Sequence, residues 1–295
     1  MNKLPAGVYP AIVTPFDEAG NIDALSLVRH LAWLESKGCV GVTLAGTTGE
    51  GPSLSAVEKR DMLRIAKSAA GGLKVILGVL TSSLSEAKWM VQQAGKNGAD
   101  AILLMPPSYF RRASVTGVTE WLQDVMDHSP LPVLLYNFPK MSGYGFSVES
   151  LSSLRVHPKF AGLKDSSGVL ANLALFRSLV GPDDSLFVGD ETLLLSAMEA
   201  GWTGSISGAA NVVPQWLSRL IASWLAGDEA SARTLFELIL QALVAIRSCP
   251  QPETHKAVLK AAGLLSNDSP RLPLKPVEVD DRWDILLSRL GDPFG

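Results

Sequence analysis

Short apolar runs and helical patterns alternate eight times along the first three quarters of the chain, a rhythm that restricts its possible folds more than any other feature. Residues 7–14 read as the first strand. Residues 23–37 read as a helix with Asp23 as N-cap and Leu27, Leu31 and Leu34 on one face. Further strands are expected at 40–44, 74–79, 101–105, 132–136, 160–164, 186–189 and 204–207. The helices after strands two and three should open with capping boxes, Ser55 with Glu58 and Ser83 with Glu86. Strands so uniformly apolar are covered on both faces, which means a parallel sheet. Eight such units over 7 to about 225 match the length of a (β/α)8 TIM barrel. An open doubly wound sheet would more often carry a glycine-rich fingerprint after its first strand, where this chain has Thr14-Pro15-Phe16-Asp17-Glu18-Ala19-Gly20. The expected architecture is an α/β barrel over 1–225. Helices at 228–247, 253–263 and 281–290 then form a C-terminal extension, 226–295, packed on the outside of the barrel or at a subunit contact.

Within this frame one strand end stands out. The run Phe160-Ala161-Gly162-Leu163 stops in Lys164 and is followed by Asp165-Ser166-Ser167-Gly168, with a helix expected from Val169. A lysine at the mouth of an apolar core is partly desolvated, which favours the neutral amine that attacks a carbonyl and forms a Schiff base. The competing reading is a lysine that snorkels to solvent and pairs with Asp165.

The barrel decides between them, because the C-terminal ends of all its strands meet at one face. Strand two ends in Gly46-Thr47-Thr48-Gly49-Glu50-Gly51, whose small residues allow backbone N–H groups to converge as a nest for a carboxylate, with two hydroxyls added. A tight turn is equally consistent with that loop alone, and a phosphate loop is excluded by the missing Gly-Lys-Ser/Thr ending. Strand five ends in Tyr136-Asn137-Phe138-Pro139, placing a phenol, a capable proton shuttle, one strand from Lys164. Strand seven ends in Gly189-Asp190-Glu191, where the carboxylates either bind substrate hydroxyls or, for Asp190, cap the next helix. After strand eight, Ser205-Ile206-Ser207-Gly208 keeps the backbone close to the barrel axis. Lysine, phenol, threonine nest and carboxylate pair at one rim form the parts list of an imine-forming lyase acting on a 2-oxo acid.

Composition removes other classes. Net charge is −3, from 26 Lys and Arg against 29 Asp and Glu with the signs interspersed, so no nucleic-acid or membrane footprint is expected. No apolar stretch suffices to span a bilayer, and the first seven residues lack the apolar core of a secretory signal, which makes the cytoplasm the expected location. Cys39 and Cys249 are too few to staple the fold, and the four histidines fall in no ligand motif, so neither a metal nor a separate cofactor is expected.

Gly-Thr-Thr-Gly-Glu at 46–50, Tyr-Asn-x-Pro at 136–139 and Gly-Leu-Lys-Asp-Ser at 162–166 occur in the order seen in the dihydrodipicolinate synthase and N-acetylneuraminate lyase family of pyruvate-dependent class I aldolases, which the chain resembles from about Gly7 to the helix after Val213. The resemblance implies that Lys164 forms the imine with pyruvate and Tyr136 relays protons. It further implies that Thr47 and Thr48 hold the carboxylate and complete the relay, and that the Ile206 backbone lines the pyruvate pocket. Tyr109, in Pro106-Pro107-Ser108-Tyr109, resembles the family tyrosine that reaches into a neighbouring subunit, implying a homo-oligomer, a dimer or dimer of dimers. Synthase members follow the tyrosine motif with an arginine that binds the carboxylate of aspartate semialdehyde, whereas the matching residue here is Met141, with Lys140 one position away. The expected partner is therefore the aldehyde of a 2-keto-3-deoxy sugar acid or 4-hydroxy-2-oxo acid. The alternatives are 4-hydroxy-tetrahydrodipicolinate synthase with carboxylate recognition rebuilt, or a non-catalytic pyruvate-binding barrel.

Overall fold

Each strand is a run of four to six residues buried almost throughout, and hydrogen-bonded N-caps open several of the helices between them. The computed structural model describes residues 3–278. Strands β1 (Gly7–Pro10), β2 (Gly41–Leu44), β3 (Lys74–Val79), β4 (Ala101–Leu104), β5 (Val133–Asn137), β6 (Phe160–Asp165), β7 (Ser185–Val188) and β8 (Gly204–Ser207) pair in parallel, in the order β1-β8-β7-β6-β5-β4-β3-β2. The seam between β1 and β2 closes through Val40 N–H donating to the Val8 carbonyl and Ile12 N–H to that of Thr43, both 3.1 Å. The result is the expected (β/α)8 barrel.

Its helices are α1 (Ala24–Ser36), α2 (Ala56–Ala69), α3 (Leu84–Lys96), α4 (Val115–Asp127), the single turn α5 (Pro139–Ser142), α6 (Val148–Arg155), α7 (Ala171–Leu179), α8 (Leu194–Glu199) and α9 (Pro214–Leu225). Asp23 caps α1 by accepting from Ser26 N–H, and Ser55 with Glu58 forms a complete capping box on α2. Ser83 caps α3, but Glu86 accepts from the Thr81 hydroxyl at 2.9 Å instead of returning to Ser83 N–H, so the second expected box is only half made. The helix expected at 169 begins at Ala171. Gly168, at φ +73°, and the Ser167 hydroxyl, which accepts from Val169 N–H and from Asn172 Nδ2, hold an intervening turn.

Apolar packing falls in two layers. One lies between strands and helices, and the other fills the barrel with Tyr9, Leu103, Leu134, Phe187 and Ile206 among others. Tyr9 and Phe187 meet edge-on at 5.1 Å, each fully buried and worth about 2–3 kcal/mol of burial. Gly162 is required where β6 crosses β7: its φ is +135°, and a Cβ there would lie 1.8 Å from the Ser185 carbonyl oxygen.

The C-terminal helices divide. α10 (Glu229–Arg247) packs along α9 and α8 on the outside, as expected. α11 (Glu253–Ala261) does not. Seven successive residues, Glu253 to Leu259, are buried, because the helix lies on the loops at the C-terminal ends of the strands, where Lys256 reaches Glu50 after β2 and Phe16 after β1. The helix expected at 281–290 lies outside the described residues. Among the described residues no helix is long and apolar enough to cross a membrane.

Two histidines are fully enclosed where α1 meets α11. His30 stacks on Trp33 at 5.9 Å, and neither His30 nor His255 has a hydrogen-bond partner for a ring nitrogen among the described residues. Burial pushes His30 down to about 3, helped by the nearby His255, and pushes His255 down to about 4. An unfolded chain protonates both near 6.5, so below that pH it binds more protons than the folded one and stability falls as pH falls, by up to about 1.4 kcal/mol per unit for each histidine. We predict that the urea unfolding free energy drops from pH 6.5 to pH 5, above the range of ordinary carboxylates, and that His255→Asn flattens the drop; an equal slope in the variant would count against it.

Candidate active site

Register places the two central residues. β5 pairs with β6 so that Tyr136 lies beside Lys164 and Asn137 beside Asp165, after a register shift between Val133 and Leu134. Because side chains alternate along a strand, Tyr136 and Lys164 share the inner face, while Asn137 and Asp165 face the helices. The Lys164 Nζ stands 4.2 Å from the centroid of the Tyr136 ring, and that ring stacks on Phe138 at 5.7 Å. Lys164 is only 5% exposed and has no ion-pair partner among the described residues. Asp165 is not its counter-ion. Its carboxylate accepts from Asn137 Nδ2 at 2.7 Å and from the Ser167 hydroxyl at 2.8 Å, and burial raises it above the ordinary carboxylate range despite those bonds.

Gly189 makes room for the lysine. A Cβ there would lie 2.9 Å from Lys164 Cε and 2.0 Å from the Ser166 hydroxyl. Across the mouth, the loop 45–50 is bracketed by two residues in the left-handed region, Ala45 at φ 52° and Glu50 at φ 53°. Such non-glycine residues persist only where their surroundings hold them. The Thr47 hydroxyl is buried without a partner among the described residues, and the backbone N–H groups of Thr47 and Thr48 donate no hydrogen bond among them. Unsatisfied donors on the same cavity as a lysine amine suit a carboxylate.

The loop is held from outside the barrel. Glu50 is 3% exposed and forms an ion pair with Lys256, itself completely buried. Burial pulls Lys256 down from the usual lysine range, and Glu50 opposes the shift. The second Glu50 oxygen accepts from Arg271 N–H at 2.8 Å, and the Arg271 guanidinium pairs with Glu58 and donates to the carbonyls of Ser53 and Gly20. Residues 253–271 thereby strap the loops after β1 and β2.

A cavity of about 310 Å³ opens between Lys164, Tyr136 and the loop after β2. Thr47, Thr48, Tyr136, Met141, Lys164, Gly189, Asp190 and Glu191 all line it. Ile206 and Tyr109 do not. Ile206 is buried inside the barrel, in register with Tyr9. Tyr109 is 80% exposed, edge-on to Phe110. Sequence reasoning missed Arg247, Gln251 and Ser166, and passed over Lys140 as a weak fork. Arg247 comes from the last turn of α10, where a basic residue looks like a complement to the helix dipole.

Arg247 also changes the reading of the carboxylate pair. One nitrogen, Nη2, donates to Asp190 Oδ1 and to Glu191 Oε2, each at 2.7 Å. Glu191 accepts in addition from Ala209 N–H, and Asp190 caps the turn 191–193 through Thr192. Burial alone would raise Asp190, but its hydrogen bonds from Thr192 and Arg247 and the guanidinium charge hold it below the ordinary range. Glu191 thus uses both oxygens and Asp190 only Oδ1, so of the four carboxylate oxygens only Asp190 Oδ2 is without a hydrogen bond among the described residues.

The model of the dihydrodipicolinate synthetase family matches residues 4–286. The chain belongs to that family. It is an enzyme of the lyase class, a class I pyruvate-dependent aldolase. A relative named 4-hydroxy-tetrahydrodipicolinate synthase, from Nitrobacter hamburgensis, is 34% identical over 272 residues, 92% of this chain and 91% of that protein. The crystal structure of dihydrodipicolinate synthase from Aquifex aeolicus superposes with a TM-score of 0.91 at 26% identity, covering 98% and 99% of the two chains. A prophage protein of the same family from Escherichia coli, solved in complex with pyruvate, gives 0.90 at 25% identity over 97% and 98%.

Removing one partner of the Glu50–Lys256 pair leaves the other charge buried and alone, at a cost of about 3–5 kcal/mol. We predict that Glu50→Gln and Lys256→Met each lower the urea midpoint strongly, and that the double variant is less destabilised than the sum of the two. Strict additivity would mean that the pair is not coupled.

Proposed function

We propose that the protein is a 4-hydroxy-tetrahydrodipicolinate synthase, joining pyruvate to aspartate semialdehyde through an imine on Lys164. The observation that carries the reading is a nearly buried lysine amine, 4.2 Å from a phenol ring and on one cavity with the Thr47-Thr48 loop, where neither the amine has a counter-ion nor the Thr47 hydroxyl a partner among the described residues. The amine adds to C2 of pyruvate and water leaves, with the Thr47 and Thr48 N–H groups and the Thr47 hydroxyl binding the carboxylate. The cationic imine acidifies C3. Loss of that proton gives an enamine that attacks the aldehyde carbon, and Tyr136 supplies the proton to the new alkoxide. No separate cofactor enters, since the substrate itself carries the electron sink. Tyr109 joins the site from a second copy of the chain, in a dimer or dimer of dimers.

Two considerations favour aspartate semialdehyde over a sugar-acid partner. The relatives similar over more than nine tenths of the chain carry the synthase name. Charge agrees: Lys140, Lys164 and Arg247 line the cavity against Asp190 and Glu191, and both carboxylates are engaged by Arg247. Met141, standing where synthases have arginine, favours the second reading, an aldolase of 2-keto-3-deoxy sugar acids or 4-hydroxy-2-oxo acids.

Steady-state assays separate the two. Condensation of pyruvate with aspartate semialdehyde should exceed cleavage of a 2-keto-3-deoxy sugar acid in kcat/KM, and the reverse order would establish the second reading. Tyr136→Phe should lower kcat by about 10²–10⁴-fold in either reaction, and an unchanged kcat would remove the phenol from the relay.

A further inference from the structure

The cavity retains unused binding capacity beside the engaged carboxylates. A guanidinium has five N–H donors, and Arg247 directs both of its hydrogen bonds through Nη2. Its Nε and Nη1 groups, with three N–H donors, have no partner among the described residues, and the side chain keeps 39% exposure on the same cavity as Lys164 and Lys140. Asp190 likewise uses one oxygen. Oδ1 accepts from Thr192 and Arg247, whereas Oδ2 has no hydrogen bond among the described residues. Glu191, 5% exposed and fixed by Ala209 N–H, serves as the post that orients the guanidinium.

Spare cationic donors and a spare carboxylate oxygen on one rigid ion pair are complementary to a zwitterion. We propose that Arg247 and Asp190 form a receptor for the α-amino-acid head group of the aldehyde partner, with the carboxylate on Arg247 and the ammonium on Asp190 Oδ2. Lys140, exposed and unpaired among the described residues, adds charge at the carboxylate end. The proposal rests on the synthase reading for the identity of that partner and explains how recognition survives Met141. The donor moves from the loop after β5 to the end of α10.

The test uses L-homoserine, the alcohol corresponding to aspartate semialdehyde, titrated calorimetrically into the intact enzyme in saturating pyruvate. Wild type should bind it. Arg247→Met should weaken binding by about 30-fold. Arg247→Lys, which keeps a positive charge for Glu191 but loses the spare donors, should weaken it comparably and guards against misfolding of the first variant. Asp190→Asn should weaken homoserine but leave 4-hydroxybutyrate, which lacks the ammonium, unaffected. Homoserine that fails to bind wild type, or binds all variants equally, would overturn the receptor. Homoserine binding lost in the variants, with no turnover of aspartate semialdehyde by wild type, would leave the receptor standing and reject the synthase reading instead.

Discussion

The pairing of β5 with β6 is the constraint on which the rest of the site depends. A parallel ladder fixes which residues lie side by side, and a slip of one residue would turn Tyr136 or Lys164 toward the helices. The register is secured from several directions. Gly162 allows β6 to pass within contact of the β7 backbone, Asn137 and Asp165 hydrogen-bond across the ladder on the outer face, and Ser166 N–H donates to the Asn137 carbonyl at 2.9 Å. The placement of Tyr136 and Lys164 at the inner face is thus maintained by polar groups on the outer one.

A second constraint comes from the C-terminal segment. The loop after β2 holds left-handed residues at both ends and unsatisfied donors between them, an arrangement that would relax if it stood alone. Buried charge prevents this: Glu50 is fixed by Lys256 and Arg271, and Phe16 lies within 4.5 Å of both cationic groups. The same segment delivers Arg247 and Gln251 to the cavity. α10 therefore contributes its last residue to the cavity, and α11 braces the loops around it through Lys256.

Much of this was legible in the chain because its signals are local. Strands 74–79 and 204–207 coincide with the observed elements, and Asp23, Ser55 and Glu58 do the capping work their positions suggest. Lys164, Tyr136 and the Thr47-Thr48 loop converge because barrel topology leaves strand ends no other place to meet. What stayed hidden required knowledge across long sequence separations. Nothing near Arg247 in the sequence announces Asp190 and Glu191, 57 and 56 residues away. The burial of α11 was equally opaque, since Lys256 and Glu253 make its sequence look like a solvated helix until Glu50 is brought to it.

The proposed reaction stands or falls on covalent chemistry at Lys164. Incubating the protein with pyruvate, reducing with borohydride and mapping the peptides by mass spectrometry tests it most directly. The expected result is a single reduced pyruvyl group on Lys164 and none on Lys140 or Lys256. An adduct on another lysine, or no adduct on protein shown to be folded, would contradict it.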